Sequence, residues 1–277
     1  MSVTKRAVWY IECRLDGELS LARIAEATAV SRFHLSRAFA VSTMTSLAGY
    51  VRTRRLSEAA KALSQGAPDI LALALDAGYG SHEAFTRAFR QQFALTPEQV
   101  RAAGTLTGIS LQEPFEMNPT THVSLATPRL VESEALLIFG LCQQYQCQSN
   151  AGIPSQWNAF LPHFGHIQDQ LGNVAFGVIC NWDDAGSYDY ICGVQVPEFP
   201  AQPPEFTRIK IPPARYAVFE HHGHVSAIAA TWNAVWERGL ADAGYQASDG
   251  PALERYGEEF NGQTGLGGME LWVPVRS

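Results

Sequence analysis

Ala77-Gly78-Tyr79-Gly80-Ser81-His82-Glu83-Ala84-Phe85-Thr86-Arg87-Ala88-Phe89-Arg90 decides how the first half of this chain is read. Gly78-Tyr79-Gly80 is a break, and Gly78 suits a left-handed turn. Ser81 is placed to cap the helix that follows, on which Phe85 and Phe89 share a face at i, i+4. A helix also precedes the break, from Asp69-Ile70-Leu71-Ala72-Leu73-Ala74. The unit is therefore helix, tight turn, helix, with a small Ala at the crossing so that the two helices can approach closely.

The same unit occurs earlier. Leu19 through Ala25 starts a helix that Ser20 can cap, Ala29-Val30 is the break, and Ser31 caps a second helix carrying Leu35 and Phe39. Ile24 to Leu73 and Ala25 to Ala74 are 49 residues apart, whereas Ser31 to Ser81, Leu35 to Phe85, Arg37 to Arg87 and Phe39 to Phe89 are 50 apart. The one-residue change falls in the turn. Between the copies, Ser46 to Gln65 forms one long helical pattern. Leu47, Tyr50, Val51, Leu56, Ala59, Ala60 and Leu63 face the core in this reading, with Arg52, Arg54 and Arg55 outward. Thr96-Pro97-Glu98-Gln99 opens a last helix with a capping box and Pro at its first position.

A helix-turn-helix lays its second helix in the major groove and offers its early exposed residues to base edges. Those positions are Arg32, Phe33, Ser36 and Arg37 in the first unit and His82, Glu83, Thr86 and Arg87 in the second. Arg can bond guanine in bidentate fashion, and Glu can accept from cytosine. Two such heads on one chain would sit about one DNA turn apart, roughly 34 Å. The reading requires Arg37 and Arg87 to be accessible to water and to face the same way.

Residues 77–90, followed by Phe93 and Thr96-Pro97, resemble the signature of the AraC/XylS transcription regulators over about residues 5–103. The resemblance implies a seven-helix domain with two recognition helices joined by a long helix. Val41-Ser42-Thr43-Met44-Thr45 departs from the pattern, because the family usually has a glycine after the first recognition helix.

Charge and composition change at mid-chain. Residues 1–104 hold 13 Lys+Arg and 9 Asp+Glu, and residues 105–277 hold 7 and 18, which together give the overall −7. A basic front half and an acidic back half suit a polyanion-binding module joined to one that must not bind polyanions. The expected organisation is a DNA-binding domain at 1–104, a linker at 105–121 and a second domain at 122–277. No apolar run is long enough to span a membrane. Five cysteines without a CxxC pair, in a chain whose start lacks a signal-peptide core, point to reduced thiols and a cytoplasmic location.

The back half reads as a second duplication. Trp157-Asn158-Ala159 and Trp232-Asn233-Ala234 are 75 residues apart, each in a helical stretch preceded by a strand and followed by two more. The strands are Ala135–Leu141, Val174–Cys180 and Tyr188–Val196, then Tyr216–Glu220, Ala252–Tyr256 and Met269–Val275. The fold class expected overall is an all-α N-terminal domain with two helix-turn-helix units, plus an α+β C-terminal domain. The latter is β-α-β-β twice, an antiparallel sheet with helices on one face. Strand alternation puts Glu254 and Tyr256 on a common face, and Glu270 and Trp272 opposite the apolar side of the last strand. Tyr188, Tyr190 and Trp182 are candidates to join these acids. A half-buried carboxylate loses solvation, and an organic cation would both pair with it and stack on aromatic rings. The opposing reading puts either acid on a wet face, paired with Arg255 or Arg276.

This half resembles the GyrI-like effector-binding domain through Ile211-Pro212-Pro213-Ala214-Arg215-Tyr216-Ala217-Val218-Phe219, Gly223, Gly250 through Tyr256, and Met269 through Val275. The resemblance implies a small-molecule pocket between the two repeats with an acid near its floor. Glu254 and Glu270 both remain candidates for that acid, with Trp272, Tyr256, Tyr190 and Trp182 as further ligand-binding residues.

The expected function is regulation of transcription through double-stranded DNA, with a small hydrophobic or cationic effector and RNA polymerase as further partners. No membrane, metal, cofactor or catalytic role is expected. His221, His222 and His224 lack a third partner at ligand spacing. The alternative is a hydrolase, which some GyrI-like domains are, using a Glu of raised pKa and a nearby Tyr. A binding module acting only through a protein partner is the third reading.

Overall fold

Polar caps start the helices of the front half. Ser20, Ser31, Ser46 and Ser81 each accept from the backbone N–H three residues on, Asp69 accepts from Leu71 and Ala72, and Thr96 forms a full capping box with Gln99. The computed structural model describes residues 2–115, 123–149, 151–201 and 203–276. Within the first of these spans lie α1 (Val3–Glu12), α2 (Leu21–Ala27), α3 (Arg32–Thr43), α4 (Leu47–Ser64), α5 (Ile70–Asp76), α6 (His82–Phe93) and α7 (Pro97–Ala103). The pairs α2–α3 and α5–α6 are the two helix-turn-helix units.

The turns keep their left-handed residue whatever its side chain. Gly78 has φ +85° in the second unit, and Ala29, 49 residues earlier, has φ +55°. After α3, Met44 takes φ +54° where a glycine was expected, and Ala94 does the same after α6 with φ +58°. Each non-glycine in this region costs roughly 1–2 kcal/mol, so the exit geometry is imposed by packing.

The long helix α4 buries Leu47, Tyr50, Leu56, Ala59, Ala60 and Leu63 as expected, but not all its arginines point outward. Arg52 is exposed. Arg54 is only 3% exposed and bonds Glu12, Glu58 and the carbonyl of Gln112, while Arg55 bonds the carbonyls of Leu15 and Gly17. Residues 105–115 lie along this helix: Gln112 N–H donates to Ser57 Oγ and Phe115 stacks on Tyr50 at 4.7 Å. The remaining positions of the expected linker, 116–121, lie outside the described residues.

The back half is one curled antiparallel sheet. Its strands are β1 (Arg129–Ser133), β2 (Leu136–Gln146), β3 (Ala175–Cys180), β4 (Ser187–Gln195), β5 (Thr207–Ile211), β6 (Ala214–His221), β7 (Gln246–Ala247), β8 (Ala252–Tyr256) and β9 (Met269–Arg276). The order is β1-β6-β9-β8-β3-β4-β2-β5, with β7 paired to β9. Read from either end, the order is edge strand, then the first, third and second strands of one repeat. At the centre Val178 of β3 faces Leu253 of β8, the same 75-residue offset that relates Trp157 to Trp232. Helix α8 (Ile153–Phe160) covers one repeat and α9 (Ile228–Ala234) the other. A π turn at Val235–Gly239 and a final turn at Leu240–Asp242 prolong α9.

The two halves share a core. Ile11, Ile24, Leu35 and Phe39 from the helical half lie in one apolar cluster with Phe219, Trp232, Trp236, Leu271 and Val273 from the sheet half. Arg54 and its partners test the local account: Arg54→Met, which strands Glu12, is expected to cost about 3 kcal/mol in denaturant unfolding. Arg52→Met should fall within about 0.5 kcal/mol of the parent.

Candidate functional site: a caged carboxylate and two reading heads

Strand β8 carries Glu254 into the space beneath α8 and α9, where it is only 6% exposed. Three side chains donate to it. Tyr190 Oη lies 2.5 Å and Tyr256 Oη 2.9 Å from Oε2, and Trp232 Nε1 lies 2.8 Å from Oε1. Trp157 closes the ring by donating to Tyr190 Oη at 3.0 Å and meeting Tyr256 edge-on at 4.9 Å. The pseudo-symmetry of the fold is visible here, since the two matched tryptophans both aim their N–H at this cluster. Gly177, paired with Glu254 across the β3–β8 ladder, makes room for it: a Cβ there would collide with Tyr190 Oη and crowd Glu254 Oε2.

Burial raises the pKa of Glu254, and the hydrogen bonds from Tyr190, Trp232 and Tyr256 oppose that rise. Burial also holds the phenols of Tyr190 and Tyr256 far above their ordinary range. Among the described residues no Arg, Lys or His forms an ion pair with Glu254. The cluster is thus an acid walled by four aromatic rings, with no ion-pair partner among the described residues.

The sequence-derived ligand set separates into three places. Glu254, Tyr256 and Tyr190 come together. Glu270 and Trp272 lie on the opposite face of the sheet, where Glu270 pairs with Arg129 at 2.5 Å and Arg255 at 3.4 Å and accepts from Trp272 Nε1. These partners lower the pKa of Glu270 against the effect of its partial burial. The opposing reading of a carboxylate paired with Arg255 therefore describes Glu270, and Glu254 is the enclosed acid. Trp182 stacks on Tyr188 at 4.5 Å and reaches neither acid but Arg37. Trp157 and Trp232 were visible in the sequence as the repeat marker, and their N–H groups were the missed signal. Of the discounted histidines, His221 bonds Thr231 and the carbonyl of His224, and His222 is exposed beside Glu220.

The reading heads are presented unequally. On α6, Glu83 and Arg87 are exposed, and His82 and Thr86 partly so. On α3, Arg32 is exposed, Phe33 and Ser36 are partly buried, and Arg37 is 3% exposed. The requirement that Arg37 be accessible is not met. Its guanidinium lies 4.4 Å from the Phe33 ring and 4.4 Å from the Trp182 ring, and its Nε has no hydrogen-bond partner among the described residues. Further along α3, His34 Nε2 donates to the Trp236 carbonyl at 2.6 Å, and Ser42 Oγ bonds Asn233 and Glu237.

Comparison with known proteins settles the family on grounds independent of Arg37. A GyrI-like small molecule binding domain model matches residues 126–276, more than half of the chain, and a helix-turn-helix domain model matches residues 24–103. The chain belongs to the AraC-type regulators and carries a GyrI-like domain. It is 34% identical over 140 residues to the right origin-binding protein of Escherichia coli K12, covering 50% of this chain and 47% of that protein. It is 36% identical over 113 residues to the multiple antibiotic resistance protein MarA of the same organism, covering 41% of this chain and 85% of MarA. The transcriptional regulator BrlR of Pseudomonas aeruginosa is 28% identical over 149 residues, 53% of this chain and 54% of BrlR. The chain thus aligns with about half the length of the first of these relatives. Among the described residues no helix is long and apolar enough to cross a membrane.

The caged acid makes a pH prediction. A carboxyl whose folded pKa is raised stabilises the fold while protonated, and that contribution is lost as pH climbs from the unfolded value through the folded one. The Tm of Glu254→Gln should therefore rise relative to that of the parent chain as pH climbs above the ordinary carboxylate range. A difference that does not change with pH contradicts the burial account.

Proposed function

We propose that this chain regulates transcription by binding specific double-stranded DNA through its two helix-turn-helix units, and that its GyrI-like domain senses a small hydrophobic cation at Glu254. The single observation that carries the effector reading is the enclosed acid without a cationic partner, ringed by Trp157, Tyr190, Trp232 and Tyr256. A lipophilic cation entering there would supply the charge and stack on the rings, at about 0.5–2 kcal/mol per contact. It must displace Trp232 or one of the tyrosines from the carboxylate, and displacing Trp232 couples binding to a shift of α9. A ligand can bias DNA binding only through such differential affinity for two states.

Hydrolysis is the less favoured reading, because both oxygens of Glu254 are already engaged by side-chain donors. Product beyond one equivalent from a chemically reactive substrate would reverse that order.

Two measurements test the proposal. Rhodamine 6G, as a lipophilic cation, should quench tryptophan fluorescence saturably in the parent chain and bind at least about tenfold more weakly to Glu254→Gln, with Glu270→Gln unchanged. Equal affinity of the Glu254 variant and the parent removes Glu254 from the site. For DNA, Arg87→Ala should weaken a duplex selected from a random pool by about 1–3 kcal/mol and relax selectivity at one half-site. Equal loss on random duplex would make Arg87 a phosphate contact.

A further inference from the structure

The turn between β3 and β4 carries Trp182, Asp183 and Asp184 and lies against the first helix-turn-helix unit. Trp182 lies over the Arg37 guanidinium, and Tyr188 backs Trp182 from behind. Trp182, Asp183, Asp184 and Gly186 face Ser36, Arg52 and Arg55 across a cavity of about 370 Å³. The turn is close-fitting as well as near. Gly186 has φ +91°, and a Cβ there would strike Cys147 Sγ and crowd Ser46, the N-cap of α4.

What this turn covers is the face that a recognition helix offers to base edges. Its chemistry also imitates what it displaces. An indole stacks on the guanidinium, and two exposed carboxylates stand across the cavity from arginines of the long helix. The rest of α3 is tied to the same domain, through Ser31 to the Ala247 carbonyl, His34 to the Trp236 carbonyl, and Ser42 to Asn233 and Glu237. Among the described residues nothing comparable covers Glu83 or Arg87 of the second unit.

We propose that the β3–β4 turn is an autoinhibitory plug: it occupies the Ser36–Arg37 part of the DNA-reading face of α3 and leaves Arg32 outside it, so only the second unit of the free chain can seat fully on DNA until the sheet domain moves off. This rests on the DNA-binding reading above. The closed state is stable enough to form and costly enough to leave. Its apolar contacts favour it, while burial disfavours the charge on Arg37, which among the described residues has no salt-bridge partner and whose Nε is unpaired. Guanine or phosphate would satisfy that guanidinium better than two aromatic faces do.

The test compares the full-length parent with Trp182→Ala and with the double variant Asp183→Asn, Asp184→Asn. Each is put through selection from a random 30-base-pair pool and through amide hydrogen exchange. For Trp182→Ala we expect faster exchange in residues 32–43, at least tenfold tighter binding to its selected duplex than the parent shows, and a selected site that grows from one half-site to two, about one turn apart. The exposed Asp variants should move in the same direction by a smaller factor, without removing any core side chain. Faster exchange in α3 with unchanged affinity overturns the plug and leaves the DNA reading standing. Unchanged exchange and unchanged affinity in both variants also overturns it. No selected site for any of the three proteins, all folded, overturns the DNA reading and the plug together.

Discussion

The packing of α3 against α9 and its π turn is the constraint on which the other features depend. Trp236, on the π turn, meets Phe33 at 6.1 Å and His34 at 5.6 Å, and its carbonyl accepts from His34. Burial lowers the pKa of His34, against the raising effects of its bond to the Trp236 carbonyl and of the neighbouring Glu237. One helical turn back, Trp232 stacks parallel to Trp236 at 6.1 Å and donates to Glu254. The same short helix thus touches the candidate effector site with one tryptophan and the first recognition helix with the next. π turns are costly and tend to persist where function needs them.

Two buried ionisable groups define the chemistry, one in each half. Glu254 sits among aromatic rings without a cation, and Arg37 sits between aromatic rings without an anion. Each is stabilised by neutral groups that a better partner could displace, an organic cation for the first and nucleic acid for the second. The mid-chain switch from basic to acidic composition places an acidic domain on a basic one, and the two are joined by the shared apolar core.

Much of the fold was legible because local chemistry dictated it. Capping serines at 20, 31, 46 and 81, the 49–50 residue repeat and the turn at Gly78 define the helical half without tertiary information. The Trp-Asn-Ala repeat and strand alternation did the same for the sheet, and put Glu254 with Tyr256. What stayed hidden were contacts between segments far apart in sequence. Arg54 reads as an outward arginine on helical period alone, but Glu12 and residues 105–115 cover it. Arg37 matches Arg87 in its own unit, and only the arrival of Trp182, 145 positions later, distinguishes them. Nor could alternation choose between Glu254 and Glu270, since it fixes faces and not which face the helices cover.

Arginine footprinting on the free chain reaches the central claim most directly. Treatment with p-hydroxyphenylglyoxal followed by peptide mapping compares positions 32, 37 and 87 in one sample. Arg32 and Arg87 are expected to be modified readily and Arg37 to be spared until the protein unfolds. Modification of Arg37 at the rate of Arg87 would contradict it, because the sheet domain could then not be resting on the first reading head.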